Sequence, residues 1–160
     1  DISVVAIDNI NEYYDKRLKL ARLKNLGIDT KDVNRYGYIK SINYKKLLFY
    51  KGDLRDKKSL DTIFKNDKPN YVCHLAAQAG VRYSLTNPYS YIDNNIYSFL
   101  NLLECARNNN IRHLVYASSS SVYGLNKKIP FSPSDNVDHP ISLYAVSKKS
   151  NELMAHTYSH

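Results

Sequence analysis

The chain has 160 residues, 43% of them hydrophobic, with a formal charge of +8 at pH 7, which suits one core of moderate size. No apolar run reaches the length of a membrane span, and the basic residues (Lys16, Arg17, Lys19, Arg22, Lys57, Lys58, Lys127, Lys128) are scattered rather than gathered in one tract. Membrane and nucleic-acid partners are therefore not expected. Cys73 and Cys105 lack CxxC spacing and read as small buried hydrophobes of a reducing cytoplasm, with no disulfide and no metal site.

Strand and helix signals alternate along the chain. An apolar strand is expected at Ser3 to Ile7, then a helix at Glu12 to Asn25. A polar loop or small insertion follows from Gly27 to Lys46. Next come a strand at Leu47 to Lys51, a helix at Lys57 to Lys65, a strand at Tyr71 to Ala76 and a helix at Tyr89 to Asn108. A strand at His113 to Ser118 precedes a last helix that opens near Leu143, with Ser142 as its cap. Pro69, Pro88 and Pro140 punctuate the flanks. Short buried strands alternating with helices predict an α/β fold, a doubly wound parallel sheet, whose ligands gather at the carboxyl ends of the strands.

The segment from Val115 to Lys149, VYASSSSVYGLNKKIPFSPSDNVDHPISLYAVSKK, joins a strand, four serines, a polar loop and a helix. YxxxK occurs three times in the chain, at Tyr36 with Lys40, Tyr123 with Lys127 and Tyr144 with Lys148. The first two are interrupted by Gly or Asn, so only Tyr144 and Lys148 are expected to share a helix face. An ammonium one turn from a phenol favours the phenolate, the form a general base requires.

Three segments, VAIDNINEYYD, HLAAQAGVRYSLTNPYSYIDNNIYSFLNLLE and YASSSSVYG with DNVDHPISLYAVSKKSNELMAHTYSH, resemble the extended short-chain dehydrogenase/reductase family. Within it they are most similar to the nucleotide-sugar epimerases that act on UDP-glucuronate. The resemblance implies a Rossmann-like domain that binds NAD, and members of this kind are roughly twice as long as this chain. A first strand with a GxxGxxG turn is expected upstream and a substrate lobe downstream, which makes residues 1–160 a partial NAD-binding domain, inactive by itself.

The same resemblance assigns roles. Asp8 is placed to accept hydrogen bonds from the adenosine ribose and to repel the extra phosphate of NADP, assisted by Asn9 and Asn11; its alternative is a turn or helix-capping residue. Asp53 and Leu54 would meet the adenine, Leu75, Ala76 and Ala77 the dinucleotide backbone, and Asn94 the cofactor ribose or the active-site helix. His74 reads as a packed strand residue. Arg82 and Ser84 would bind substrate, with the Arg82 guanidinium on a phosphate or a sugar carboxylate. Ser119 would hold the reacting oxygen with Ser121 nearby, Tyr144 would move the proton, and Lys148 would serve both the phenolate and the nicotinamide ribose.

The implied reaction is epimerisation of a UDP-sugar at C4 through a 4-keto intermediate, by a cytoplasmic enzyme that is a homodimer at full length. Decarboxylation and 4,6-dehydration start from the same intermediate, and a non-catalytic nucleotide-binding fragment is the alternative of another class.

Overall fold

The computed structural model describes residues 2–31, 33 and 37–160, which form two compact units, residues 1–59 and 60–160. Tyr36, and with it the first YxxxK match, lies outside the described residues. Among the described residues no helix is long and apolar enough to cross a membrane.

In the first unit β1 (Val4–Asp8) pairs in parallel with β3 (Leu47–Lys51), Val4 opposite Leu47 and Asp8 opposite Lys51. The crossover between them carries α1 (Lys16–Asn25), which starts later than the apolar pattern suggests. The cause is local: the Asp15 carboxylate accepts from the Arg17 amide at 2.8 Å and caps the helix there. The stretch read as loop contains a short strand, β2 (Tyr38–Lys40), antiparallel to β3. It departs from a wholly parallel sheet, and Ile39 is the side chain that packs from it against the core of Ile10, Ile28, Val33 and Phe49.

The helix α2 (Lys57–Asp67) leads into the second unit, capped by Asp56, whose carboxylate accepts from the Ser59 amide at 3.1 Å. There β4 (Tyr71–His74) and β5 (His113–Tyr116) pair in parallel. Both strands stop two residues before their apolar runs do. Between them lie α3 (Tyr83–Thr86), α4 (Tyr89–Tyr91), a π-helical stretch (Ile92–Tyr97) and α5 (Ser98–Asn108), so the expected single helix from Tyr89 is interrupted by a wider turn. A 3₁₀ turn (Ser120–Tyr123) follows β5, and α6 (Leu143–Tyr158) ends the chain. Leu60, Ile63, Phe64, Phe99, Leu102 and Leu103 are buried in this unit.

Cys105 is buried as expected and donates its thiol to Asp61 at 3.1 Å, but Cys73 is exposed. The strand pleat accounts for it: His74 is buried, so its neighbour Cys73 turns to the other face of β4. The α/β class, with parallel pairing and helical crossovers, is as the sequence predicts.

Candidate active site

At the end of β1 the sequence DNIN folds into three successive side-chain turns. Asp8 Oδ1 accepts from the Ile10 amide (2.6 Å), Asn9 Oδ1 from Asn11 (3.1 Å) and Asn11 Oδ1 from Tyr13 (3.4 Å). Ile10 is held at φ 50° with its side chain buried at 4% exposure, a costly conformation for a β-branched residue and of the kind that concentrates at ligand clamps. Asn9 Nδ2 also donates to Asp53 Oδ2 at 3.3 Å, joining the ends of β1 and β3. Burial pushes the Asp53 carboxyl up, but hydrogen bonds from the Arg55 side chain and amide and from Asn9 outweigh it and hold the pKa below the usual carboxylate value.

The end of β4 runs into an open segment, residues 75–80, in which Leu75, Ala76 and Ala77 are exposed and Gln78 is buried. Its backbone pairs with no strand among the described residues, and side chains hold it at Gln78, Ala79 and Gly80. Asn95, in the π-helical stretch, holds both backbone polar groups of one residue: its Oδ1 accepts from the Gln78 amide at 2.7 Å and its Nδ2 donates to the Gln78 carbonyl at 3.1 Å. The Tyr91 hydroxyl bonds the carbonyls of Ala79 and Gly80.

The same Asn95 reaches α6. Its Nδ2 donates to Ser147 Oγ (2.9 Å), which donates to the Tyr144 carbonyl (2.8 Å). Asn151, its amide nitrogen facing α6 and the π-helical stretch, donates to the carbonyls of Asn95 (2.8 Å) and Ser147 (3.1 Å). The buried face of α6 is thus Ala145, Ser147, Lys148 and Asn151, small and polar, and each polar member finds a partner as burial requires.

The Ser142 hydroxyl accepts from the Ala145 amide at 3.1 Å and starts α6 two residues before Tyr144. The Tyr144 ring packs edge-on against Tyr91 at 6.1 Å. Lys148, 4% exposed, donates from Nζ to the Ala117 carbonyl at 2.9 Å, and burial holds its pKa below the usual lysine value. One turn on, Glu152 accepts from the Ser118 hydroxyl. Two adjacent residues just past β5 are therefore tied to α6 at positions four apart, on one side of the helix. Ser119 Oγ accepts from the Ser121 amide at 3.2 Å and caps the 3₁₀ turn.

A sequence profile for the family described as GDP-mannose 4,6 dehydratase matches residues 13–160. The chain belongs to this family of epimerases and dehydratases. It is 52% identical over 157 residues to protein CapI of Staphylococcus aureus, covering 98% of this chain and 42% of that protein. It is 46% identical over 158 residues to UDP-glucuronate 4-epimerase 4 of Arabidopsis thaliana, covering 98% of this chain and 32% of that one. A crystal structure of UDP-glucuronic acid 4-epimerase from Bacillus cereus, in complex with UDP-glucuronic acid and NAD, superposes with a TM-score of 0.78 at 27% identity, covering 98% of this chain and 44% of that one. The chain thus spans less than half the length of these relatives.

Within this epimerase/dehydratase chain the expected site residues fall in three groups. Ser119, Ser121, Tyr144 and Lys148 stand at the end of β5 and the start of α6. Asp8, Asn9, Asn11 and Asp53 stand together at the strand ends of the first unit, with the half-buried Leu54 beside them. Arg82 is exposed ahead of α3 and forms no ion pair among the described residues. One expectation is corrected. Ser84 is buried and its hydroxyl donates to the Val81 carbonyl at 2.6 Å, so it closes a turn rather than facing a substrate. Asn94 Nδ2 donates back to Ser90 O at 2.7 Å, and the side chain of this stretch that donates to α6 is that of the neighbouring Asn95. The second YxxxK match is broken as expected, because Tyr123 ends the 3₁₀ turn and Gly124 has φ 58°.

Proposed function

We propose that the complete protein is an NAD-dependent nucleotide-sugar 4-epimerase that interconverts UDP-glucuronate and UDP-galacturonate, a cytoplasmic homodimer supplying sugar for polysaccharide synthesis. The observation that supports this reading is the attachment of α6, which carries Tyr144, to the end of β5 through the bond from buried Lys148 to the Ala117 carbonyl. The residues present suit a dinucleotide: the exposed Leu75, Ala76 and Ala77 leave backbone open to close approach, and the turns after Asp8 and Asn9 set polar groups at the strand ends.

In this mechanism Tyr144 takes the proton of the sugar C4 hydroxyl and later returns it. Bound NAD would supply the hydride acceptor and donor for the same carbon. Ser119 donates to the reacting oxygen, and Lys148, anchored on Ala117, favours the phenolate form of Tyr144 and holds ribose hydroxyls. The 4-keto sugar turns over in the site, and hydride return to its opposite face inverts C4 without net oxidation.

The family also contains dehydratases, which need added acid and base beside the serine position. Here Ser120 and Ser121 occupy it, which favours epimerisation. Arg82 favours a uronate. Product analysis of the complete protein with UDP-glucuronate deuterated at C4 tests the reading: UDP-galacturonate that retains the label supports it. A decarboxylated pentose or no product would rule it out.

A further inference from the structure

Lys19 lies one turn into α1, and its Nζ reaches back to Asp8 Oδ1 at 3.3 Å and to Asn11 Oδ1 at 3.1 Å. Its side chain is 20% exposed, against 48% for Asp8. The two preceding basic residues of α1 are engaged elsewhere, Lys16 with Glu12 and Arg17 with Asp15. Lys19 is therefore the cation of this helix that meets the strand end.

A carboxylate at this position discriminates against NADP by charge, because it repels the added 2′-phosphate. An ammonium in contact with that carboxylate cancels much of the repulsion, and it is itself a point charge suited to phosphate. Asp8 Oδ1 is also used by the Ile10 amide, so the acceptor fixed in the turn and the one paired to Lys19 are the same oxygen. The charge of Asp8 is thus offset while its other oxygen stays available as a hydroxyl acceptor.

We infer that Lys19 is a coenzyme-specificity residue: paired with Asp8 it relaxes the exclusion of NADP, and released from Asp8 it binds the 2′-phosphate. The inference rests on the proposal that this strand end receives the adenosine ribose. It is tested by dissociation constants for NAD and NADP, measured by titration calorimetry on the complete protein freed of bound nucleotide.

In Lys19→Met the affinity for NADP relative to NAD falls by about fivefold, the upper range for an exposed charge pair, whereas Lys19→Arg keeps the ratio. Asp8→Ser tightens NADP by about tenfold through a charge-assisted hydrogen bond, and Asp8→Ser combined with Lys19→Met loses that gain. Lys19→Gln, read in parallel and checked by circular dichroism, gives the same direction as Lys19→Met and covers the case in which Met disturbs the fold. An unchanged ratio in folded Lys19→Met or Lys19→Gln, or a double variant that keeps the NADP gain, overturns the inference and leaves the cofactor reading standing. A wild-type protein that binds neither dinucleotide overturns both.

Discussion

His74 is 6% exposed, stacks on Phe99 at 5.2 Å between ring centroids, and its Nε2 has no hydrogen-bond partner among the described residues. Burial first, and the Lys148 charge second, push its pKa from 6.5 down to about 4. The unfolded chain therefore takes up a proton at higher pH than the folded one. Stability is full above pH 6.5 and is lost as pH falls toward 4, by roughly 3 kcal/mol from this residue. Urea titrations at pH 7 and pH 4.5 are expected to show that loss, and His74→Phe, which keeps a ring against Phe99, to show less of it; an equal loss in both proteins would assign the acid sensitivity to other groups. A second prediction at this scale separates the serines. Ser119→Ala removes the hydroxyl that the proposed mechanism assigns to the reacting oxygen and is expected to lower kcat by about a hundredfold, the cost of one lost donor to that oxygen. Ser121→Ala is expected to cost far less, and the reverse order in steady-state kinetics would move the reacting-oxygen role to Ser121.

At the scale of elements, the π-helical stretch decides which face meets α6. Asn95→Ala would leave the Gln78 amide and carbonyl without partners in a buried site, at about 1–3 kcal/mol for each group. Asn94→Ala is expected to cost under about 1 kcal/mol, since its bonds lie within its own helix. Chemical denaturation of both variants measures the difference, and equal costs would contradict the network. Gly124 is a second fixed point: a Cβ there would lie 2.3 Å from the His139 carbonyl at a φ of 58°, so Gly124→Ala is expected to displace the loop leading to Ser142 and lower both stability and activity. These elements also mark what the sequence could tell. The apolar runs located β1, β3, β4 and β5, and the Pro140 and Ser142 signals located α6 to within a residue, because burial and capping leave direct compositional traces. The identity of Asn95 was not legible from periodicity. Counting at 3.6 residues per turn assumes no inserted π turn, and two adjacent asparagines offer no way to choose. The trace that was available is the pair Ser147 and Asn151, polar and four apart on a helix that must bury one face. Ser84 misled for another reason: a serine beside an exposed arginine looks like a site residue until the turn it closes is seen.

At the scale of the molecule, the chain spans 42% of its Staphylococcus aureus relative, so the proposed activity belongs to the complete protein. Arg82 bears on what that protein accepts. If its guanidinium meets the sugar carboxylate, Arg82→Ala is expected to lose more kcat/KM with UDP-glucuronate than with UDP-glucose, and equal losses would assign it to phosphate or to structure. The whole reading turns on Tyr144, which lies four residues before Lys148 on a helix secured to β5. The deciding measurement is the turnover of UDP-glucuronate by the complete protein carrying Tyr144→Phe, with bound NAD quantified in the same sample. The account predicts NAD content equal to that of the wild type and kcat lower by on the order of a hundredfold or more; full activity in Tyr144→Phe would contradict it.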